Sequence, residues 1–310
     1  MKSSAPPLIV IAGPTATGKT DLAIRLAEAL IADGTPTVVI SADSRQVYRG
    51  LDIGTAKASP AEQARVPHHG LDLVDPPDRF TVSDFVVHAT AVLAQVAAGG
   101  GLAILAGGTG LYLRSIARGL PLEELPDDPG LRAGLEADLA RDGLAALVVR
   151  LRSAAPVLAA TVDLANPRRV VRAMELATLR GDGPRPAARG YDGASAWVGL
   201  DMSRDEHARR ITSRAHQQFA DGLVEEAVAL RARYDPTLPC FSAIGYREAW
   251  AVADGVMTLD QAVEEDAARN VRFARRQRTW FRGEAGVTWL DATADPLPAS
   301  LRTARAILDR

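Results

Sequence analysis

Gly13-Pro14-Thr15-Ala16-Thr17-Gly18-Lys19-Thr20 matches the pattern G-x-x-x-x-G-K-[ST]. Glycines at that spacing let backbone N–H groups curl around a phosphate, and the helix that follows aims its positive end at the anion. Lys19 is expected to reach the terminal phosphate, and the Thr20 hydroxyl to ligate Mg2+. Such a loop handles phosphate without specifying a reaction. An ATPase usually adds a strand ending in an acid for the metal. Here the apolar run 102–105 ends instead in Ala106-Gly107-Gly108-Thr109. The run 38–40 does lead to an acid, in Ser41-Ala42-Asp43-Ser44-Arg45-Gln46. Asp43 then reads either as a general base or metal-shell carboxylate at a strand's C-terminal edge, or as a turn former. Downstream, Asp52 and Lys57 flank a glycine turn. The pair His68-His69 points away from metal, because adjacent side chains diverge and no third ligand is spaced nearby.

The elements that must position these residues follow from periodicity. Strands are expected at 8–12, 38–40, 71–74 and 102–105. Helices are expected at 21–32 and 83–98, the second with Ser83 as N-cap. The pattern changes at Gly119, where Pro121, Pro126 and Pro129 break the chain. Ala-, Leu- and Arg-rich helical text then runs to about Arg180, and a Gly/Pro/Arg loop leads back to a strand at 197–200. Helices at 204–220, 223–233 and 260–282 and a last strand at 287–290 complete the pattern. This is an α/β chain: a P-loop NTPase-like parallel sheet flanked by helices, with an inserted small helical domain. The core would comprise 1–118 and 197–310, and the insertion 119–196.

Composition narrows the function classes. The chain has 310 residues, 47% hydrophobic and 24% charged, with net charge −2. That excludes a uniformly basic nucleic-acid coat and leaves room for local basic patches. One such patch holds Arg269, Arg272, Arg275, Arg276, Arg278 and Arg282 with no acid between them; a second holds Arg168, Arg169 and Arg172. Phe273, Trp280 and Phe281 sit at helical spacing and are expected to face the core. Cys240 is the sole cysteine, which rules out an internal disulfide and fits a reducing, cytoplasmic setting. No run of 18 apolar residues occurs, so no membrane span is expected. Of the 36 Lys plus Arg, the lysines are only Lys2, Lys19 and Lys57. A lysine kept against such a bias can mark a place that needs a compact ammonium.

Five motifs then occur in order: GPTATGKT at 13–20, SADSRQVYRGLDIGTAK at 41–57, GGTGLYL at 107–113, AIGYRE at 243–248 and RRQRTWFR at 275–282. Together they resemble the tRNA dimethylallyltransferases, also called tRNA isopentenyltransferases, over about residues 8–290. The resemblance implies transfer of a dimethylallyl group from dimethylallyl diphosphate to N6 of adenosine 37, beside the tRNA anticodon, with release of diphosphate. It implies Mg2+ as cofactor and the anticodon stem-loop as partner; the sequence does not fix the oligomeric state, and a monomer is expected. The phosphate loop would hold the prenyl diphosphate rather than ATP.

Carried over residue by residue, the resemblance makes Gly13, Pro14, Thr15, Ala16, Thr17, Gly18, Lys19 and Thr20 the diphosphate cradle. Asp43 becomes the base, Arg214 a clamp on the diphosphate, and Thr20 the Mg2+ contact. Contacts to tRNA are expected from Asp43, Ser44, Arg45 and Gln46, with the Gln46 amide reading adenine. They are also expected from Thr109 and Arg132, and from Arg168, Arg169, Val170, Val171 and Arg172. Ser242, Ala243, Ile244, Gly245, Tyr246 and Arg247 form a further segment. The last comprises Arg275, Arg276, Gln277, Arg278, Thr279, Trp280, Phe281 and Arg282. Lys57 stays open between a second diphosphate contact and a brace for the Asp43 loop. A transferase acting on free adenine nucleotides is the alternative. The long insertion and the arginine helix argue for a polymer acceptor instead.

Overall fold

The structure is a computed structural model that describes residues 5–122 and 126–309. Six parallel strands form one sheet in the order β3-β2-β4-β1-β5-β6. They are β1 (Leu8–Ala12), β2 (Thr37–Ser41), β3 (His68–His69), β4 (Leu102–Gly107), β5 (Ser195–Asp201) and β6 (Val287–Asp291). The sequence LIVIA of β1 is buried throughout. Ile9 and Ile11 enter one hydrophobic cluster, while Leu8, Val10 and Ala12 enter another on the opposite face. A parallel strand covered on both faces needs such a continuous apolar run.

Two helices enter the first cluster: α1 (Lys19–Ala32) by Leu22, Leu26 and Leu30, and α12 (Leu297–Leu308) by Ala304 and Ile307. The second cluster takes Phe85 and Val92 from α3 (Val82–Ala98), and Tyr112 and Leu113 from α4 (Gly110–Ala117). Helix α3 begins one turn signal earlier than expected. Thr81, not Ser83, is the N-cap, because Asp84 three residues on completes a reciprocal capping box. The expected strand at 71–74 is absent: pairing occurs at His68–His69, and only Val74 forms an isolated bridge, with Tyr48. Helices α2 (Pro60–Arg65) and α10 (Tyr246–Ala253), like α12, are not among the elements that periodicity predicts.

A third cluster lies beneath the loops that leave β2. Val47, Tyr48 and Leu51 meet Ile211 and Phe219 of α8 (Arg204–Ala220), Leu223 of α9 (Leu223–Arg231), Tyr246 of α10 and Ala274 of α11 (Leu259–Arg282). No helix among the described residues is long and apolar enough to cross a membrane.

The chain divides into two compact units, one running to Gly119 and from Gly190 onward, the other Leu120–Arg189. The chain thus returns to the first unit at Gly190, ahead of the boundary at 196 expected from the sequence. The Gly190 N–H donates to Arg118 O, and the Tyr191 hydroxyl to Pro6 O, which ties the approach to β5 into the first unit. The second unit contains α5 (Pro129–Ala154), broken at Gly143, then α6 (Pro156–Thr161) and α7 (Pro167–Arg180). Leu135, Leu147, Leu151, Val170, Val171 and Met174 form its core. Glu175 is fully buried there. Burial pushes its carboxyl up, but the Asp128 N–H, Arg172 and Arg132 hold it below the usual range.

Glu175→Ala should destabilise the full chain by about 3 kcal/mol, since it strands two guanidiniums that stay partly wet. Urea unfolding monitored by circular dichroism measures this, and a midpoint equal to wild type would contradict it.

Candidate functional site

A cleft of about 360 Å3 opens at the C-terminal edge of the sheet, where β1, β2 and β4 end. Its lining includes Thr15, Ala16, Gly18, Lys19, Thr20, Asp43, Gly107, Gly108, Arg214 and Phe273. Ligands in parallel α/β sheets gather at this edge. Gly18 is the N-cap of α1 at φ +86°, a left-handed conformation that favours glycine. No side chain caps this helix, whereas α3, α8 and α11 are capped by Thr81, Ser203 and Thr258. The first-turn N–H groups of α1 are therefore left open for an anion. The Thr17 hydroxyl turns inward to Pro14 O at 2.8 Å instead.

Lys19 Nζ also donates to Pro14 O, at 2.7 Å. Burial pushes its ammonium down to about 7; Arg214 adds to that shift and Asp43 opposes it. Burial lowers the Arg214 guanidinium as well, against the pull of Asp266 and Asp43. Arg214 reaches this place from α8 and is steadied by Asn270 Oδ1 at 3.2 Å. Asn270 in turn donates to Asp266, whose carboxyl burial pushes up to about 6. Two cations that share a desolvated cleft beside an open helix N-terminus make a site for a polyanion such as a diphosphate. Thr20 is exposed at the cleft's edge, and its hydroxyl has no hydrogen-bond partner among the described residues.

The loop after β2 is rigidly tied. Asp43 Oδ1 accepts from Arg45 N at 2.8 Å, the turn that its residue type allows, yet Asp43 also lines the cleft. The turn and site readings thus hold together. Thr109 Oγ1 accepts from Ser44 N, and Thr109 N donates to Ala42 O. Thr109 therefore fastens the Asp43 loop to the second glycine-rich loop. Arg45 donates to Pro239 O and Ser242 Oγ, which brings the segments at 43–46 and 242–247 together.

Several expectations need correction. The Gln46 amide is engaged within the chain: Oε1 accepts from Ser41 Oγ, and Nε2 donates to Thr55 O and Ala56 O. It braces a loop and is not free to read a base. Lys57, its side chain only 3% exposed, donates to Tyr48 O, Asp52 Oδ1 and Asp72 Oδ1. That uses all three ammonium donors, so of the two readings the brace holds. The loop is fixed from its other side by Glu226, whose carboxylate accepts from the N–H groups of Asp52, Ile53 and Gly54 and from the Tyr246 hydroxyl.

The arginine helix α11 has two faces. Arg275, Arg276, Thr279 and Arg282 are exposed. Arg278 faces inward, bonding Asp201 Oδ1 at 2.7 Å and His207 Nδ1 at 3.0 Å. Arg269 donates from Nη1 to both carboxylate oxygens of the buried Glu248. Gln277 is buried: its Oε1 accepts from Thr15 N at 2.8 Å and its Nε2 donates to Gly108 O at 3.0 Å. Phe281 is core; Trp280 is half-buried with Arg114 over its ring. Phe273, expected to face the core, is half-buried and lines the cleft.

Elsewhere, Tyr246 is fully buried and Ala243 nearly so, Ile244 is half-buried, and Arg247 is exposed beside Glu248 and Glu265. Gly245, at φ +107°, is buried as the N-cap of α10. In the second unit Arg168 and Arg169 are exposed, but Val170 and Val171 are core, and Arg132 and Arg172 are held by Glu175. Residues missed by sequence reasoning include His207, Glu226, Asp266 and Asn270. They carry no local motif, and only their distant partners reveal them.

Comparison with known proteins agrees with this geometry. The family model for IPP transferase matches residues 46–284, and that for isopentenyl transferase matches residues 6–68. A tRNA dimethylallyltransferase of Anaeromyxobacter dehalogenans is 43% identical over 297 residues, covering 93% of this chain and 96% of the relative. Another from Geobacter sulfurreducens is 42% identical, covering 93% of each chain. The crystal structure of a tRNA isopentenylpyrophosphate transferase from Bacillus halodurans superimposes with a TM-score of 0.71 at 37% identity, covering 98% and 97%. A eukaryotic dimethylallyltransferase structure at 21% identity and TM-score 0.75, covering 96% and 78%, shares the fold.

The free Lys19 should make pyrophosphate binding pH-dependent. A bound polyanion stabilises the ammonium, so the complex holds more protons than the free protein, and affinity falls as pH rises above about 7. Calorimetric titration should show up to about a tenfold loss per pH unit relative to Lys19→Met, whose affinity is lower throughout and lacks this limb. Parallel profiles for the two proteins would refute it.

Proposed function

This chain belongs to the tRNA dimethylallyltransferase family and is a prenyltransferase that modifies tRNA, and on that premise we propose how its own residues carry the reaction. The donor is dimethylallyl diphosphate and the acceptor N6 of adenosine 37 in the anticodon stem-loop. The protein acts as a cytoplasmic monomer. The supporting observation is that Asp43 shares one cleft with Lys19 and Arg214, so a base and a diphosphate clamp face the same small volume.

In this reading the open N–H groups of α1, Lys19 and Arg214 hold the diphosphate, while Phe273, Ala16 and Ala58 give the prenyl chain an apolar wall. The acceptor adenine leaves its stack to enter, at a cost of a few kcal/mol. The N6 lone pair attacks the first carbon of the dimethylallyl group, and that carbon's bond to the diphosphate oxygen breaks. The oxygen keeps the electron pair, and the two cations stabilise the growing charge. Asp43 takes the proton that N6 sheds, its Oδ1 steadied by Arg45 N.

The residues also fit Mg2+. Thr20 presents a hydroxyl at the cleft's edge, and no cluster of three or more His, Cys, Asp or Glu that could hold a metal occurs among the described residues. A hard ion that takes few protein ligands and several phosphate oxygens suits such a site. Thr20 would hold it, and when bound it would neutralise charge on the diphosphate.

Arg275 and Arg276, both exposed and without a carboxylate partner among the described residues, are proposed to meet the tRNA backbone, as is Arg168. Arg278 is not, because it is turned inward.

Asp43→Asn should lower turnover by about a hundredfold or more while tRNA affinity stays within about twofold; turnover near wild type would remove Asp43 as the base. Arg275→Ala with Arg276→Ala should weaken tRNA binding and reduce the slope of log affinity against log salt by about 1–2. An unchanged slope in filter binding would show that this face meets no phosphate.

A further inference from the structure

Thr15 occupies an unusual position in the phosphate loop. Its N–H donates to Gln277 Oε1, away from the open N–H groups at the start of α1, and its carbonyl accepts from His207 Nε2 at 2.7 Å. Both backbone groups of one loop residue are therefore held from outside the loop. The next residue, Ala16, stands at φ +60°, a left-handed conformation that a non-glycine residue keeps only where its surroundings impose it. The imposed turn is what carries the chain from Thr15 into Thr17, Gly18 and the helix start.

The same glutamine makes a second connection. Its Nε2 donates to Gly108 O, and a Cβ at residue 108 would lie 2.4 Å from that nitrogen. A glycine is thus required for the amide to approach. Gly108 precedes Thr109, whose N–H and hydroxyl fasten Ala42 and Ser44 on either side of Asp43. Gln277 therefore bonds both the loop that holds the leaving group and the loop that fixes the base.

We propose that Gln277 is a positioning residue that sets the separation between the diphosphate cradle and Asp43. One end of its side chain must accept from an N–H while the other donates to a carbonyl, and a primary amide does both. A neutral amide carries the acceptor and the donor on two separate atoms, so it can face the two loops at once. The exposed Arg275 and Arg276 precede it on α11, so the residue is placed by the helix whose outer face is proposed to meet tRNA. The inference rests on the tRNA prenyl-transfer reading. Wild-type transfer is therefore measured in parallel, and its absence would sink that reading rather than this one.

The test is Gln277→Glu, with Gln277→Met as companion. An ionised glutamate still accepts from Thr15 N but sets an anion against Gly108 O; a protonated one restores the donor. Gln277→Glu should transfer the dimethylallyl group about a hundredfold more slowly at pH 8, the loss typical of an ångström-scale misplacement. It should recover at least tenfold as pH falls towards 6, a recovery absent from wild type. The partition should lie in kcat, with tRNA affinity within about twofold. Gln277→Met, which can neither ionise nor donate, should be slow at every pH. If Gln277→Met fails to fold, the pH profile of Gln277→Glu decides alone, because a merely structural loss does not reverse with acid. The proposal is overturned if Gln277→Glu turns over like wild type, if its profile parallels wild type, or if the defect appears in tRNA affinity instead of kcat.

Discussion

Lys19 and Arg214 are like charges kept in one desolvated cleft, and the rest of the first unit answers to that constraint. Asp43 eases their repulsion only in part and a bound polyanion eases it further, so the frame around them must hold without one. Strand β1 is buried on both faces and fixes the root of the phosphate loop. Helix α11 crosses the sheet edge as a strut. Glu284, just past its end, takes Arg114 and Arg118 of the α4 region, and Arg278 takes Asp201 at the end of β5. Asn270 of the same helix steadies Arg214. A site that destabilises the free protein in this way needs such a scaffold, and binding energy from the substrate is returned at the cleft.

How much of this the sequence discloses depends on the range of each interaction. The phosphate loop, the Asp43 turn and the apolar strands at 8–12, 38–40 and 102–105 are local patterns, and the structure contains them at or within two residues of the expected bounds. Local pattern does not disclose which arginines turn inward. Along α11 the run from Arg269 to Arg282 looks uniform, but its partners lie far off: Glu248 is 21 residues from Arg269, and Asp201 is 77 from Arg278. The same holds for Arg132, which lies 43 residues from Glu175, whereas Arg172 meets Glu175 three residues on. A basic run on a helix therefore overstates the basic surface. Val170, Val171 and Tyr246 fall inside segments matched to tRNA contact, and only the structure shows that they pack into cores.

The rarity of lysine finds two separate explanations. Lys19 is a point charge in the anion site. Lys57 is enclosed by one carbonyl and two carboxylates arranged around a compact donor, which a flat guanidinium on a longer stem would not match. Its retention reflects the geometry of a loop brace, so a lysine kept against the arginine bias marks the anion site only at Lys19.

The loop at 52–54 bears on selectivity. Three successive backbone N–H groups converging on one point form an anion nest of the same kind as the phosphate loop. Left vacant, it would attract an anion just before the segment 55–58 that lines the cleft. Glu226 fills it with a carboxylate from the protein's own chain, so this nest is closed while the phosphate loop stays open.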